Sequence, residues 1–310
     1  MMVKFKKNLK SLWKDRSLIL MSLPAVIILV LFSYVPMFGL VIAFKDFNYA
    51  KGIWGSDWCG FKNFEALFRA GPTYWRVTRN TILYYVGFLV IGTTFEVGTA
   101  VLLNELRFKR FAKYSQTIMM MPAFISYVAI ANIADIFLEP NIGLVNKLQT
   151  FLGFKPTNFD FAAGWWPLIL IIVTLWKNCA FNSVLYLSTL AGIDQEMYEA
   201  ASLDGANAWQ KFRYITFPVL KATITILALL SLGKIMHSDT GLFHQVTHNN
   251  SALYRTTQVL DTYVLNSITA AGSDYGITGA TTLYQSVIGF VLVVVVNLIV
   301  RKIEPDRALF

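Results

Sequence analysis

Long apolar blocks alternate with shorter polar segments along the chain. Six blocks have roughly the 20 residues that a bilayer-crossing helix needs, and we place them at Leu18–Phe44, Thr78–Leu103, Tyr114–Leu138, Trp165–Leu190, Phe217–Ser238 and Thr281–Val300. Because lipid offers no hydrogen-bond partners to the backbone, each crossing is predicted to be helical. The pattern therefore predicts an all-α integral membrane protein with six transmembrane helices.

Composition supports a membrane protein over a soluble one. Charged residues make up 15% of the chain and hydrophobic residues 55%, whereas soluble domains carry about 25% charged residues. The apolar run at Leu18–Phe44 is about twice as long as the core of a secretory signal peptide, so we expect a retained helix there. The two cysteines, Cys59 and Cys179, are far apart in sequence and indicate no disulfide framework.

The distribution of Lys and Arg predicts the orientation. Taken together, the N-terminal tail, the 104–113 loop, the segment from residue 191 to Lys221 and the residues after Val300 carry sixteen Lys and Arg residues, against nine in the longer intervening segments. The positive-inside rule then places both termini in the cytoplasm. It also places the 191–216 loop on the cytoplasmic side.

That loop carries a spaced pattern between the fourth and fifth blocks. Its members are Glu199, Ala200, Ala201, Gly205, Ile215 and Pro218. The Glu-Ala-Ala run favours a helix, and Gly205 permits a positive φ where that helix stops. Pro218 suits the first turn of the next helix. The segment is therefore predicted to be a short helix set in a cytoplasmic loop.

In order and spacing this segment resembles the coupling loop of the membrane subunits of ABC importers. From about residue 70 onward the chain is similar to carbohydrate-type permeases, in particular those for oligosaccharide, polysaccharide or aldouronate uptake. The runs that carry this second likeness are Trp176-Lys177-Asn178, Leu260-Asp261-Thr262-Tyr263-Val264 and Tyr284-Gln285-Ser286-Val287-Ile288-Gly289-Phe290. The resemblance implies the type I ABC importer permease fold.

The resemblance also implies partners and residue roles. It implies a second homologous permease in a heterodimer, two ATPase subunits that bind ATP and Mg, and an extracellular solute-binding lipoprotein. The expected solute is a sugar, in particular an oligosaccharide, and the expected location is the plasma membrane of a Gram-positive bacterium. The coupling role falls on Glu199, Ala200, Ala201, Gly205, Ile215 and Pro218, with Trp209 and Tyr198 as hydrophobic anchors on the ATPase.

The domain organisation follows from these assignments. We expect cytoplasmic tails at residues 1–17 and 301–310, a first helix with an outer loop at 18–77, and an importer transmembrane domain at 78–300 that contains the coupling loop, 191–216.

Motifs for other chemistry are missing from the sequence. Gly233-Lys234 lacks the upstream glycine and the following Ser or Thr of a phosphate loop, so this chain is not expected to hydrolyse ATP or bind a cofactor. No catalytic constellation marks an enzyme. His237, His244 and His248 lie close together in sequence, but local hydrogen bonding is the favoured interpretation over a metal site. The basic patches have no interleaved aromatic residues, which argues against nucleic-acid binding.

Polar residues inside the apolar blocks are costly and are therefore candidates for a solute path. On the fourth block they share one helical face with an aromatic residue: Thr174, Lys177, Asn178, Phe181 and Asn182. On the fifth block they are Ser231, Lys234 and His237. The alternative is a passive interface with a neighbouring helix. Glu96, in the second block, is interpreted as a structural partner for Lys or Arg.

If the path interpretation holds, Lys177, Lys234 and His237 give the path a positive charge, which weakly favours a solute with carboxylate groups. Two other interpretations remain open. The chain could be an ABC importer permease for a non-sugar solute, or a secondary transporter, which would be expected to show inverted repeats and broken helices.

Overall fold

The structure is a computed structural model that describes residues 16–69, 71–269 and 274–303. Most of the two predicted tails, 1–17 and 301–310, lies outside these ranges. The described chain divides into two compact units. The first comprises residues 16–69 and 274–283, and the second comprises residues 71–269 and 284–303.

The first unit begins with an irregular apolar helix. It is α-helical over Arg16–Leu29, passes through a π turn at Val30–Tyr34 and tightens to a 3-10 helix at Val35–Phe44. Pro24 and Pro36 lie in this stretch, and a proline removes a backbone donor from the helical ladder. The remaining elements are two antiparallel strands and two short helices: Lys45–Asp46, Asp57–Trp58, Gly52–Gly55 and Lys62–Arg69.

Buried polar contacts hold the segment after this helix in place. Lys45 Nζ donates to the carbonyl oxygen of Trp54 at 3.0 Å and to that of Ser56 at 3.2 Å. Asn63 Nδ2 donates to the carbonyl oxygen of Lys45 at 3.0 Å. A Cβ at Gly276 would lie 2.5 Å from Asn63 Nδ2, so the close approach of these two segments requires glycine.

The second unit is helical almost throughout. Its helices are Pro72–Gly87, Phe88–Gly92, Thr93–Glu105, Lys109–Met120, Met121–Phe124, Tyr127–Leu138, Leu144–Phe151, Ala163–Trp165, Trp166–Ala191, Gln195–Leu203, Ala208–Lys211, Phe212–Thr216, Phe217–Ser231, Leu232–Lys234, Gly241–Gln245, Ser251–Leu253, Tyr254–Thr257 and Leu260–Thr269. A last helix, Tyr275–Ile303, begins in the first unit and ends in the second.

Five helices in the described residues are long and apolar enough to cross a membrane, and six if a bent pair counts as one crossing. The five are Leu20–Phe44, Pro72–Glu105, Ala163–Ala191, Ala208–Lys234 and Tyr275–Lys302. These confirm the prediction of a helical membrane protein. Several of these helices begin earlier than the apolar blocks that predicted them. The helix that corresponds to the fifth predicted block, for example, runs from Ala208 to Lys234 and not from Phe217 to Ser238.

The third predicted crossing, Tyr114–Leu138, is wrong as a single helix. The structure has Lys109–Phe124 and Tyr127–Leu138, bent by 99° with respect to each other. Pro122 cannot donate a backbone hydrogen bond at this point. Ser126 is extended, and its hydroxyl caps the second helix by accepting from Ala129 N at 3.3 Å. The chain therefore ends one helix and starts another.

Packing in the second unit centres on the helix Trp166–Ala191. One side of it contributes Trp166 and Leu170 to a core that also contains Phe243 and Val246. Near its other end, Tyr186 and Leu190 pack with Ala100 and Leu220. The fourth apolar helix is therefore the shared support of its neighbours, and side chains along it are held in fixed positions.

Candidate functional site

A short exposed helix, Gln195–Leu203, lies between the fourth and fifth apolar helices; we call it the loop helix. Asp194 caps its start by accepting from Glu196 N at 3.0 Å. At its end Gly205 adopts φ +79°, and Ala206 N donates to the carbonyl oxygen of Ala201 at 2.9 Å. This is the left-handed glycine termination that the sequence suggested.

Side-chain bonds tie the loop helix to the chain that follows it. The hydroxyls of Tyr198 and Thr216 are 2.8 Å apart, and Lys211 Nζ donates to Ser202 Oγ at 2.7 Å. Asn207 and Gln210 form a reciprocal capping box that opens the next helix. The loop helix and the start of the fifth helix therefore form one braced element.

The loop helix and the start of the fifth helix expose apolar side chains to solvent. Leu203 is 91% exposed, Trp209 69% and Tyr214 76%. Among the predicted coupling residues, Glu199, Ala200, Gly205 and Pro218 are also exposed, whereas Ala201 and Ile215 are half-buried. Tyr198 is half-buried and bonded to Thr216, so it braces the loop instead of offering a free ring. Contiguous exposed apolar patches are typical of surfaces that contact another protein or a membrane.

A cavity of about 390 Å³ lies within the second unit. Aromatic rings form much of its wall: Tyr84, Tyr85, Phe88, Tyr127, Tyr186 and Phe243. Polar groups between the rings include Thr174, Asn178, Asn182, Ser231 and His237, all of which the sequence indicated as path residues. The spacing of Thr174, Asn178 and Asn182 places them on one face of the fourth helix.

Lys177, predicted with this group, does not line the cavity. It is 8% exposed, and its Nζ donates to the carbonyl oxygens of Ala123 at 2.9 Å and Ile125 at 2.5 Å. Nζ also lies 4.9 Å from the centroid of the Tyr127 ring. Of the two interpretations of this lysine, the geometry supports contact with a neighbouring helix. The ammonium group caps the helix that breaks after Phe124.

Phe181 and Lys234 are also absent from the cavity wall. Phe181 is half exposed on the fourth helix, and Lys234 is exposed at the end of the fifth. Both residues have the helical spacing of the predicted path residues. The helix face that this spacing defines is wider than the part of it that bounds the cavity.

Two carboxylates on the wall were not predicted as path residues. Glu96 Oε1 accepts from Asn182 Nδ2 at 2.7 Å, so the partner of Glu96 is an amide and not the expected cation. Asp239 Oδ1 accepts from Gly241 N at 2.9 Å. Glu96 was detectable in the sequence as a charge within an apolar block; Asp239 follows Ser238, the last residue of the predicted fifth block, and carried no such signal.

The three histidines contact separate groups. His237, beyond the helix end at Lys234, has Nδ1 3.4 Å from Asp261 Oδ1. The hydrogen bond that His237 donates to the Asp261 carboxylate raises the pKa of His237 above its ordinary value, and partial burial opposes this effect. His248 Nε2 lies 2.9 Å from Asp135 Oδ1. Within the described ranges, no group of three or more His, Cys, Asp or Glu is placed to hold a metal ion.

Comparison with known proteins identifies the family. The family described as "Binding-protein-dependent transport system inner membrane component" matches residues 3–307. The polygalacturonan/rhamnogalacturonan transport system permease protein YteP of Bacillus subtilis is 32% identical over 98% of this chain and 93% of its own length. 

Solved structures agree. A chain of a bacterial ABC transporter involved in import of the acidic polysaccharide alginate has a TM-score of 0.85 at 30% identity, over 96% of this chain and 99% of that one. A second structure, in complex with an alginate pentasaccharide-bound periplasmic protein, has a TM-score of 0.84 at 31% identity, over 95% of this chain and 97% of that one. The chain has the type I ABC importer permease fold and belongs to the family of binding-protein-dependent inner membrane components, which are transport subunits and not enzymes.

Proposed function

We propose that this chain is a permease subunit of an ATP-driven importer that moves an oligosaccharide across the plasma membrane by alternating access. The observation that carries the proposal is that the braced loop helix is directly connected to the two helices that contribute Asn178, Asn182 and Ser231 to the cavity wall. A force applied to the loop helix is thereby transmitted to the wall of the cavity.

The chemistry of the cavity fits a sugar. Aromatic rings can stack on the apolar faces of sugar rings, while hydroxyl and amide groups orient the ligand by hydrogen bonding. Tyr85 and Ser231 already exchange a hydrogen bond of 2.7 Å at the wall, so these hydroxyls are placed to act together. The relatives named above belong to systems for polygalacturonan, rhamnogalacturonan and alginate, which are all saccharides.

Coupling is assigned to the exposed surface of the loop. Glu199, Ala200, Ala201 and Gly205 would enter a groove on a cytoplasmic ATPase, while Ile215 and Pro218 lie within the helix Ala208–Lys234 that follows. Trp209 supplies a large exposed ring of the type that dominates binding energy at protein interfaces. ATP and Mg are bound by that ATPase, and this chain contributes no cofactor site of its own.

The proposed assembly contains a second homologous permease, two ATPase subunits and an extracellular solute-binding lipoprotein. Both termini face the cytoplasm of a Gram-positive bacterium. The orientation is supported by the dense basic residues in the tails and in the loops next to the loop helix.

Site-directed crosslinking tests the assembly and the orientation together. In a chain carrying Cys59→Ser and Cys179→Ser, Glu199→Cys is expected to crosslink to the ATPase in the complete importer. The matched control is Ile142→Cys, which is 70% exposed in a segment assigned to the outside. It should react with a membrane-impermeant thiol reagent added to intact cells and give no ATPase crosslink. A reversed result at the two positions would refute the proposal.

A further inference from the structure

The cavity wall carries a different charge from the one that the sequence suggested. Among the described residues that line it, none is Lys or Arg. Lys234 is exposed elsewhere, and Lys177 lies behind the wall with its ammonium group bonded to carbonyl oxygens at a helix end. Carbonyl groups at a helix C-terminus carry a partial negative charge of about half an elementary charge, so they offset part of the field of the lysine.

The formal charges that remain on the wall are negative or paired. Glu96 and Asp239 both line the cavity. His237 is the one basic side chain among the described lining residues, and Asp261 lies 3.4 Å from its ring nitrogen. Asp261 Oδ2 also accepts from Ser238 N at 2.6 Å, which fixes the carboxylate beside the ring. Even when His237 is protonated, this pair adds no net positive charge.

An anionic sugar would therefore meet carboxylates without a compensating cation. Like charges at short range are disfavoured, and the penalty is larger where water is excluded. A neutral sugar meets hydroxyl and amide groups that can donate and accept, and rings that can stack. The inference sets this chain apart from both systems named above: alginate is described as acidic, and polygalacturonan and rhamnogalacturonan contain uronate residues.

We propose that the part of the solute path built by this chain selects uncharged sugar residues and disfavours uronates, with Glu96 and Asp239 as the specificity-determining residues. The inference rests on the proposed function, because it assumes that the cavity admits a saccharide.

The test uses the complete importer in proteoliposomes, with its partner permease, ATPases and binding protein. The probe is a mixed pool of short neutral and uronate-containing oligosaccharides from partial hydrolysis of plant cell-wall polysaccharide. Mass spectrometry of the vesicle contents gives the ratio of uronate-containing to neutral sugars imported. The variants are Glu96→Gln and Asp239→Asn, which keep an acceptor oxygen for Asn182 and for Gly241 N respectively. The matched control is Glu65→Gln, an exposed residue of the first unit.

The uronate-to-neutral ratio of the wild-type importer is the reference, because it also reflects the preference of the binding protein. Each of the two cavity variants should raise the uronate-to-neutral ratio about tenfold, equivalent to about 1.4 kcal/mol, while Glu65→Gln leaves it unchanged. Because the binding protein is the same throughout, a change in the ratio reports on the permease. An unchanged ratio in both cavity variants would overturn the inference and leave the proposed function intact. Import of no saccharide at all would overturn the proposed function.

Discussion

Replacing Lys177 with Met tests whether this lysine stabilises the break between the helices Lys109–Phe124 and Tyr127–Leu138. The side chain is 8% exposed, and two carbonyl oxygens lie within 2.9 Å of Nζ. Met preserves most of the volume, so the substitution removes hydrogen bonds and charge without opening a large cavity.

The expected loss of stability follows from the two carbonyl oxygens that lose their donor. A buried carbonyl oxygen deprived of its donor costs roughly 1–3 kcal/mol, and Ala123 and Ile125 would each lose one. Burial of the ammonium group is itself unfavourable, so its removal returns part of this cost. We expect a net loss of about 2 kcal/mol in the free energy of unfolding, which corresponds to about 3 °C in melting temperature for a chain of 310 residues.

The measurement is thermal unfolding of the purified importer in detergent, followed by tryptophan fluorescence. Lys234→Met is the matched control, because it makes the same chemical change at an exposed lysine and should shift the free energy by less than about 0.5 kcal/mol. Equal melting temperatures for Lys177→Met and Lys234→Met would show that the carbonyl contacts do not brace the break.

Further predictions concern the loop helix, the pH response and the segment after the third element. Gly205→Val should abolish sugar-stimulated ATP hydrolysis because a β-branched residue is strained at φ +79°, whereas Gly205→Asn should retain most of it, since Asn tolerates this region; equal activity would contradict the account. Because the pKa of His237 is raised in the folded state, protonated His237 stabilises the fold at pH values below its ordinary pKa of 6.5. This stabilisation should be lost as the pH rises through the higher folded-state pKa. Melting temperatures between pH 6 and 9 should show this loss in the wild type and not in Asp261→Asn. Asn146→Ala removes three hydrogen bonds, to Glu139 O and to Thr157 N and O, and should cost about 3 kcal/mol, seen as faster proteolysis of this segment.

The sequence was sufficient for the type of the apolar helices and for the approximate positions of five of them, because bilayer thickness fixes their length. It was not sufficient for the bend after Phe124. Pro122 was visible as an interruption that a membrane helix tolerates, but the bend also needs the Ser126 cap and the ammonium group of Lys177 from a distant part of the chain. Contacts between segments so far apart are not encoded in local hydrophobic periodicity.

The candidate cavity was recovered in part for a similar reason. Helical spacing correctly grouped Thr174, Asn178 and Asn182, since these short side chains point where their Cα atoms face. Lys177 shares their stripe, but its long side chain reaches round to the neighbouring helix. Glu96 was visible in the sequence as a charge within an apolar block, but its partner, Asn182, depended on which helix packs against it.

The order in which Lys177 and its two carbonyl acceptors are synthesised has a consequence for membrane insertion. The carbonyl oxygens of Ala123 and Ile125 precede Lys177 along the chain, so they are already in the translocon's vicinity when the lysine leaves the ribosome. When the fourth apolar helix enters the membrane, the ammonium group of Lys177 can therefore donate at once to carbonyl oxygens that are already present. A circular permutant that starts at the fourth helix would present the same lysine before its acceptors exist, and should be inserted into the membrane poorly although every native contact remains available.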